Sequence, residues 1–190
     1  MGENLGIADN SKNNPLTNDV LFQCASIGKM ITAVAALQLV KENKISLDED
    51  VNNKLVSWKV EKNEFTVKEK VTLRRLLSHA AGFFDDYGFE GYPDEQVPTV
   101  TQILKNESPS NSKKKLKVAA VPGTVERYSG GDFLIIHQLI EDITGQLFNE
   151  YIDNNIFSRL GMINTTYDFK PDVHFKKKIA RGHYENGKVD

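Results

Sequence analysis

The chain has a single cysteine. With only Cys24 available, no intramolecular disulfide can form and no cysteine metal cluster can be built, so cysteine usage leaves the compartment open. Long hydrophobic runs are also lacking: no stretch reaches the ~20 apolar residues that span a bilayer. Residues Met1 to Asn10 lack the basic-then-apolar pattern of a signal peptide, which leaves a cytosolic protein or an export segment lying elsewhere. There is no excess of one charge. A formal net charge of −2 gives no reason to expect nucleic acid or an anionic membrane as partner. The runs Lys113-Lys114-Lys115 and Lys176-Lys177-Lys178 are short and read as solvated faces. No cofactor or metal is expected. Gly130-Gly131 has no following lysine to make a phosphate loop. His174 and His183 stand at no metal-ligand spacing. Asp85, Asp86, Asp94 and Glu95 do not follow a calcium-loop pattern and read as loop acceptors.

What is present is ordinary globular material. The 190 residues are 39% hydrophobic and 26% charged, which suits one domain with a real core. Residues 1–20 are polar and read as a strand end or loop. From Ser26 to about Val40 the chain is apolar almost all round, which predicts a buried helix, with Asn43 closing it in the left-handed conformation. Thr72 can cap a second helix bearing Leu73, Leu76 and Leu77, and Gly82 is expected to end it. Residues 83–98 read as a long structured loop, Val100–Lys105 as a short helix, and 106–117 as a linker. Pro122-Gly123 marks a turn. A further helix is expected over Asp132–Thr144, lined by Phe133, Ile136, Ile140 and Ile143 and closed by Gly145. Another carries Phe148, Tyr151, Ile152 and Ile156 and ends near Gly161. The tail from Pro171 is basic and poorly patterned. Helix dominates and convincing strands are few.

One short pattern carries chemistry. Ser26 precedes Lys29 by three residues, so both can share a helix face. Ten serines and nineteen lysines in 190 positions predict about one such match by chance, and the chain has three. Ser110/Lys113 and Ser112/Lys115 fall in the linker. Ser26 instead begins an apolar helix, whose N-terminal field favours a developing alkoxide. Burial there would disfavour a protonated Lys29, giving a nucleophile and base pair. The alternative at this point is a capping serine followed by a surface lysine. Cys24, just before the helix, reads as a small buried residue. His137 reads as a helix-face residue.

Longer segments single out Ser26. Phe22 to Lys29 (FQCASIGK) resembles the nucleophile segment of the beta-lactamase-related serine hydrolases, which include class C beta-lactamases, D-alanyl-D-alanine carboxypeptidases and serine esterases. Ile45 to Val51 (ISLDEDV) is similar to the acidic segment that follows. Val71 to Gly82 (VTLRRLLSHAAG) resembles the next signature. Pro122-Gly123 followed by Tyr128-Ser129-Gly130 resembles the second catalytic motif, and Leu160 to Thr166 (LGMINTT) a later landmark. Order and spacing agree from about Gly6 to Gly182.

The resemblance implies an α+β, helix-dominated, beta-lactamase/transpeptidase-like fold with part of the antiparallel sheet missing. It implies one domain over 1–190 that is incomplete at both ends relative to the family. It implies a serine hydrolase that forms an acyl-enzyme at Ser26 on a peptide, beta-lactam or ester. Lys29 and Tyr128 would share the general-base work, the tyrosine through a depressed pKa, and the Ser26 N–H would supply half of an oxyanion hole. The partner would be a small-molecule or peptide substrate. His79 falls at a position that looks structural in the family. Two departures stand out. Gly130 occupies the place of the usual Asn at the substrate-facing end of Tyr-x-Asn. The third motif, Lys-Thr-Gly or His-x-Gly, does not occur, and Tyr184-Glu185-Asn186 is a decoy without the Pro-Gly lead. These departures support an alternative: a binding or regulatory remnant of the same fold.

Overall fold

The computed structural model describes residues 4–84, 97–110, 115–168 and 173–189. The candidates Asp85, Asp86, Asp94, Glu95, Lys113 and Lys114 lie outside the described residues. The chain divides into two units, Lys29–Ile152 and a second made of Met1–Gly28 with Asp153–Asp190.

The first unit is built on helices. α1 (Gly28–Lys41) leads into it and closes at Asn43, whose φ is 57°, while the Lys44 N–H donates to the Leu39 carbonyl. The expectation that α1 is buried all round is corrected. Thr32, Ala35, Ala36 and Leu39 are buried, but Met30, Val34 and Leu37 are exposed. These two sets recur at three- and four-residue spacing on opposite faces, so a helix with no polar side packs through one face only. α2 (Leu73–Leu77) starts at Thr72, whose hydroxyl accepts the Arg75 N–H. Leu73 and Leu76 are buried and Leu77 is half-buried. The helix ends at Ser78, not at Gly82. The acidic segment lies against the start of α2. Arg74 makes two hydrogen bonds to Asp48, at 2.7 and 2.8 Å, and Arg74 N donates to the Leu47 carbonyl.

α3 (Val100–Lys105) has a full capping box between Thr99 and Gln102. The linker reading of 106–117 is corrected at its end, where Leu116 is buried; just beyond it Val118 bridges Phe83 in antiparallel fashion. Apolar side chains placed there gain more from burial than from exposure, roughly 1.5–3 kcal/mol each. α4 (Gly130–Thr144) buries Ile135, Ile136, Leu139 and Ile140, while Phe133 and Ile143 are only half-buried, and Gly145 closes it with φ of 67°. His137 lies on its flank, stacked on Phe148 at 3.8 Å. α5 (Phe148–Ile152) ends this unit.

In the second unit, β1 (Ile7–Asp9) pairs antiparallel with β2 (Asn14–Pro15). The expected helix through Ile156 continues here as a π-type stretch over Asp153–Phe157 and then α6 (Ser158–Leu160), closed by Gly161. The tail is better tied than its pattern suggests. It forms α7 (Val173–Lys176), bridges Leu21 through Ile179, and gives the Arg181 N–H to the Ala8 carbonyl. The His183 ring accepts the Asn10 N–H at 2.9 Å. Backbone pairing across the two chain ends supplies what side-chain patterning does not. Lys178 pairs with Asp19 at 3.1 Å. The decoy Tyr184–Asn186 forms a tight turn in which Gly187 N donates to the Tyr184 carbonyl. No helix among the described residues is long and apolar enough to cross a membrane.

Candidate active site

In the Lys29–Ile152 unit the structure brings together residues that are far apart in sequence. Lys29 is half-buried in the first turn of α1. Its Nζ lies 5.0 Å from the centroid of the Tyr128 ring and 5.6 Å from that of Phe133. An ammonium over two aromatic faces gains roughly 0.5–2 kcal/mol, depending on how dry the contact is. Tyr128 remains 48% exposed, so its ring meets both Lys29 and solvent. Gly130, two residues later, is buried as the first residue of α4 behind its N-cap Ser129.

The backbone around Tyr128 is held by His79. The Arg127 N–H donates to the His79 carbonyl at 2.8 Å. The Ser129 N–H lies 3.3 Å from His79 Nδ1. The His79 ring packs on the Tyr128 ring with centroids 4.6 Å apart, and on Phe133 at 5.4 Å. The same Nδ1 stands 3.0 Å from Asp132 Oδ2. Asp132 is 1% exposed and burial pushes its carboxyl up to about 8. Its place in the first turn of α4 favours the charged form, but desolvation outweighs that field. Burial also lowers His79, helped by the positive charge of Lys29, with Glu126 acting the other way. Burial thus disfavours charge on both members of the pair. The second carboxyl oxygen of Asp132, Oδ1, has no hydrogen-bond partner among the described residues.

Asp132 escapes the sequence reading, although a signal exists. It shares a face with Ile135, Ile136 and Leu139, at spacings of three, four and seven, so a charged residue points into the apolar side of α4.

Ser26 belongs to the second unit, in a 3-10 turn over Ala25–Ile27 that runs directly into α1. It is exposed, and the residue before it, Ala25, has φ of 43°, a left-handed conformation uncommon for a residue with a Cβ. Cys24 is exposed, which corrects its reading as a small buried residue. It precedes the packed helix by one turn, so its thiol escapes burial. Gly28 has a steric role: a Cβ there would stand 2.7 Å from the Tyr167 hydroxyl, which itself donates to the Gly28 carbonyl. A side chain at 28 would push that hydroxyl away. Among the described residues no group of His, Cys, Asp and Glu could hold a metal ion.

Comparison with known proteins converges on one family. A family profile described as Beta-lactamase matches residues 2–189. The chain is 30% identical, over 163 residues, to a protein of Escherichia coli O157:H7 provisionally named D-alanyl-D-alanine carboxypeptidase, covering 82% of this chain and 37% of that one. It is 27% identical over 169 residues to penicillin-binding protein 4 of Amycolatopsis lactamdurans, covering 88% and 41%. Among solved structures it resembles the penicillin-binding protein of Bacillus halodurans, with TM-score 0.73 and 25% identity, covering 98% of this chain and 54% of that one. The octameric penicillin-binding protein homologue of Pyrococcus abyssi gives TM-score 0.73 and 27% identity, covering 97% and 42%. The expected α+β fold is thus found, with a sheet of two strands among the described residues. The chain spans about two fifths of the length of the curated relatives it matches.

Proposed function

This chain belongs to the beta-lactamase family, and on that premise we propose that it carries the acylation residues of a serine hydrolase, with Ser26 as nucleophile. Lys29 and Tyr128 share the general-base work, and the substrate is a peptide, a beta-lactam or an ester. The observation that carries the reading is the approach of the Lys29 ammonium to the Tyr128 ring at 5.0 Å, from positions 29 and 128 of the sequence. A cation beside a phenol favours the phenolate, which can accept a hydroxyl proton. The Ser26 Oγ attacks the substrate carbonyl as its proton passes to this pair. The tetrahedral oxyanion takes a hydrogen bond from the Ser26 N–H, and its collapse expels an amine or alcohol that takes the proton back. Water then attacks the acyl-serine by the reverse route and regenerates Ser26. At Gly130, where relatives of the family usually present an Asn, there is no side chain to hold a substrate amide. The names of the curated relatives favour a D-alanyl peptide or a penicillin among the possible acyl donors.

The test is acylation by a fluorescent penicillin or an activated ester, read by intact mass and peptide mapping. The expected result is a single adduct on Ser26 that Ser26→Ala abolishes. A folded chain that takes no adduct from either probe would instead favour the binding or regulatory remnant, which Gly130 supports.

A further inference from the structure

We propose that His79, oriented by Asp132, is the positioning residue for Tyr128. The inference rests on the reading of Tyr128 as a proton acceptor, and its evidence is geometric. His79 holds the chain on both sides of the tyrosine. Its carbonyl accepts the N–H of Arg127 at 2.8 Å, and its Nδ1 lies 3.3 Å from the N–H of Ser129. The ring between these anchors packs on the Tyr128 ring at 4.6 Å and an interplanar angle of 44°. The phenol is thus set by three contacts from one residue, while Lys29 Nζ lies 5.0 Å from the centroid of the same ring.

The cost of this arrangement is visible in the backbone. His79 adopts φ of 56°, in the left-handed region that a residue with a Cβ seldom occupies outside turns and sites held by their surroundings. It does so one residue past the cap of α2, where glycine or asparagine would enter that region more easily. A histidine is needed if its ring does the work. Asp132, rooted in the first turn of the 15-residue α4, fixes the ring's rotation through the 3.0 Å contact to Nδ1. A buried carboxyl that orients an imidazole is a familiar way of holding one tautomer. Here the imidazole acts on the tyrosine and not on substrate. A histidine that merely filled the loop would need neither the buried acid nor both backbone anchors.

The test uses the full chain labelled with 13C at the tyrosine Cζ. The Tyr128 signal is assigned by its loss in Tyr128→Phe. Lys29→Met is expected to move that signal, because the cation lies over the ring. In His79→Asn, which accepts the left-handed backbone but lacks the ring, the response to Lys29→Met should fall below half. Asp132→Ala should do the same. Asp132→Asn should keep most of the response, since its amide can keep a polar contact to Nδ1. Where Asp132→Ala fails to fold by circular dichroism, His79→Asn decides. If the native chain is acylated, His79→Asn should slow acylation at least tenfold. A native chain that is never acylated would count against the hydrolase reading, while the tyrosine response would still decide the positioning role. An undiminished response in folded His79→Asn would overturn the proposal.

Discussion

Gly82→Ala should destabilise the chain by considerably more than Gly145→Ala, and the difference measures packing around the segment that carries His79. Both glycines have positive φ, 88° at Gly82 and 67° at Gly145. An alanine at either position pays the left-handed penalty of about 1–2 kcal/mol. At Gly145 nothing lies within 4 Å of the added Cβ, so the cost should stop there. At Gly82 the Cβ would stand 2.4 Å from the Ala120 carbonyl oxygen and 3.2 Å from Val118 Cγ1. That carbonyl has little freedom to retreat. Ala119 N donates to the Gly82 carbonyl at 2.8 Å, Gly123 N to that of Ala80 at 2.7 Å, and Phe83 bridges Val118. Overpacking of this kind adds about 1–3 kcal/mol. The totals are about 2–5 kcal/mol for Gly82→Ala and about 1–2 for Gly145→Ala. Total stabilities are only about 5–15 kcal/mol, so the first variant loses a large share. The assay is urea unfolding followed by far-UV circular dichroism, with the midpoint shift read at unchanged slope. In thermal melts each kcal/mol should appear as roughly 2–4 °C. Equal midpoints for the two variants would refute the steric reasoning, and a neutral Gly82→Ala would refute both terms.

Other predictions follow from the same geometry. Tyr128→Phe and Lys29→Ala should each slow acylation of Ser26 by roughly 100- to 10,000-fold, the usual worth of general-base catalysis, as measured by mass spectrometry over time. Because burial raises the Asp132 carboxyl from 3.8 to about 8, the folded chain keeps a proton there that the unfolded chain releases. Stability should therefore fall as pH rises between those values, by at most about 1.4 kcal/mol per pH unit, and level off above about 8. His79, lowered by burial, contributes in the opposite direction as pH falls below 6.5, so the clean measure is the difference between native and Asp132→Asn unfolding curves. Asp142 accepts the N–H groups of Val56 and Ser57 at 2.6 and 3.0 Å and the Ser57 hydroxyl at 2.6 Å. Asp142→Ala should cost about 0.5–1.5 kcal/mol in urea unfolding, since it removes the acceptor shared by these donors and by the Gln138 amide at 3.1 Å. Leu76→Ala removes a fully buried side chain and should cost about 2–5 kcal/mol in the same assay.

Local chemistry set much of this protein before any folding was considered. Thr72 and Thr99 start helices because their hydroxyls meet N–H groups three residues on. Asn43, Gly145 and Gly161 stop helices because those residues enter the left-handed region cheaply. The motif order from Ser26 through Tyr128 to Met162 was sufficient to identify the family, since each segment reports its neighbours in the chain. Tertiary structure decided what depends on residues distant in sequence. Apolar content around α1 could not say which face would be covered, and packing chose Thr32, Ala35, Ala36 and Leu39 over Met30, Val34 and Leu37. Leu116 looked like linker until packing made it core, next to Val118, which bridges Phe83. Position alone marked His79 as structural. Only folding set it 3.0 Å from Asp132 and on both sides of Tyr128. A spacing of 53 residues between that acid and histidine has no helical or strand period to announce it, because the contact is made by packing α4 beside the end of α2.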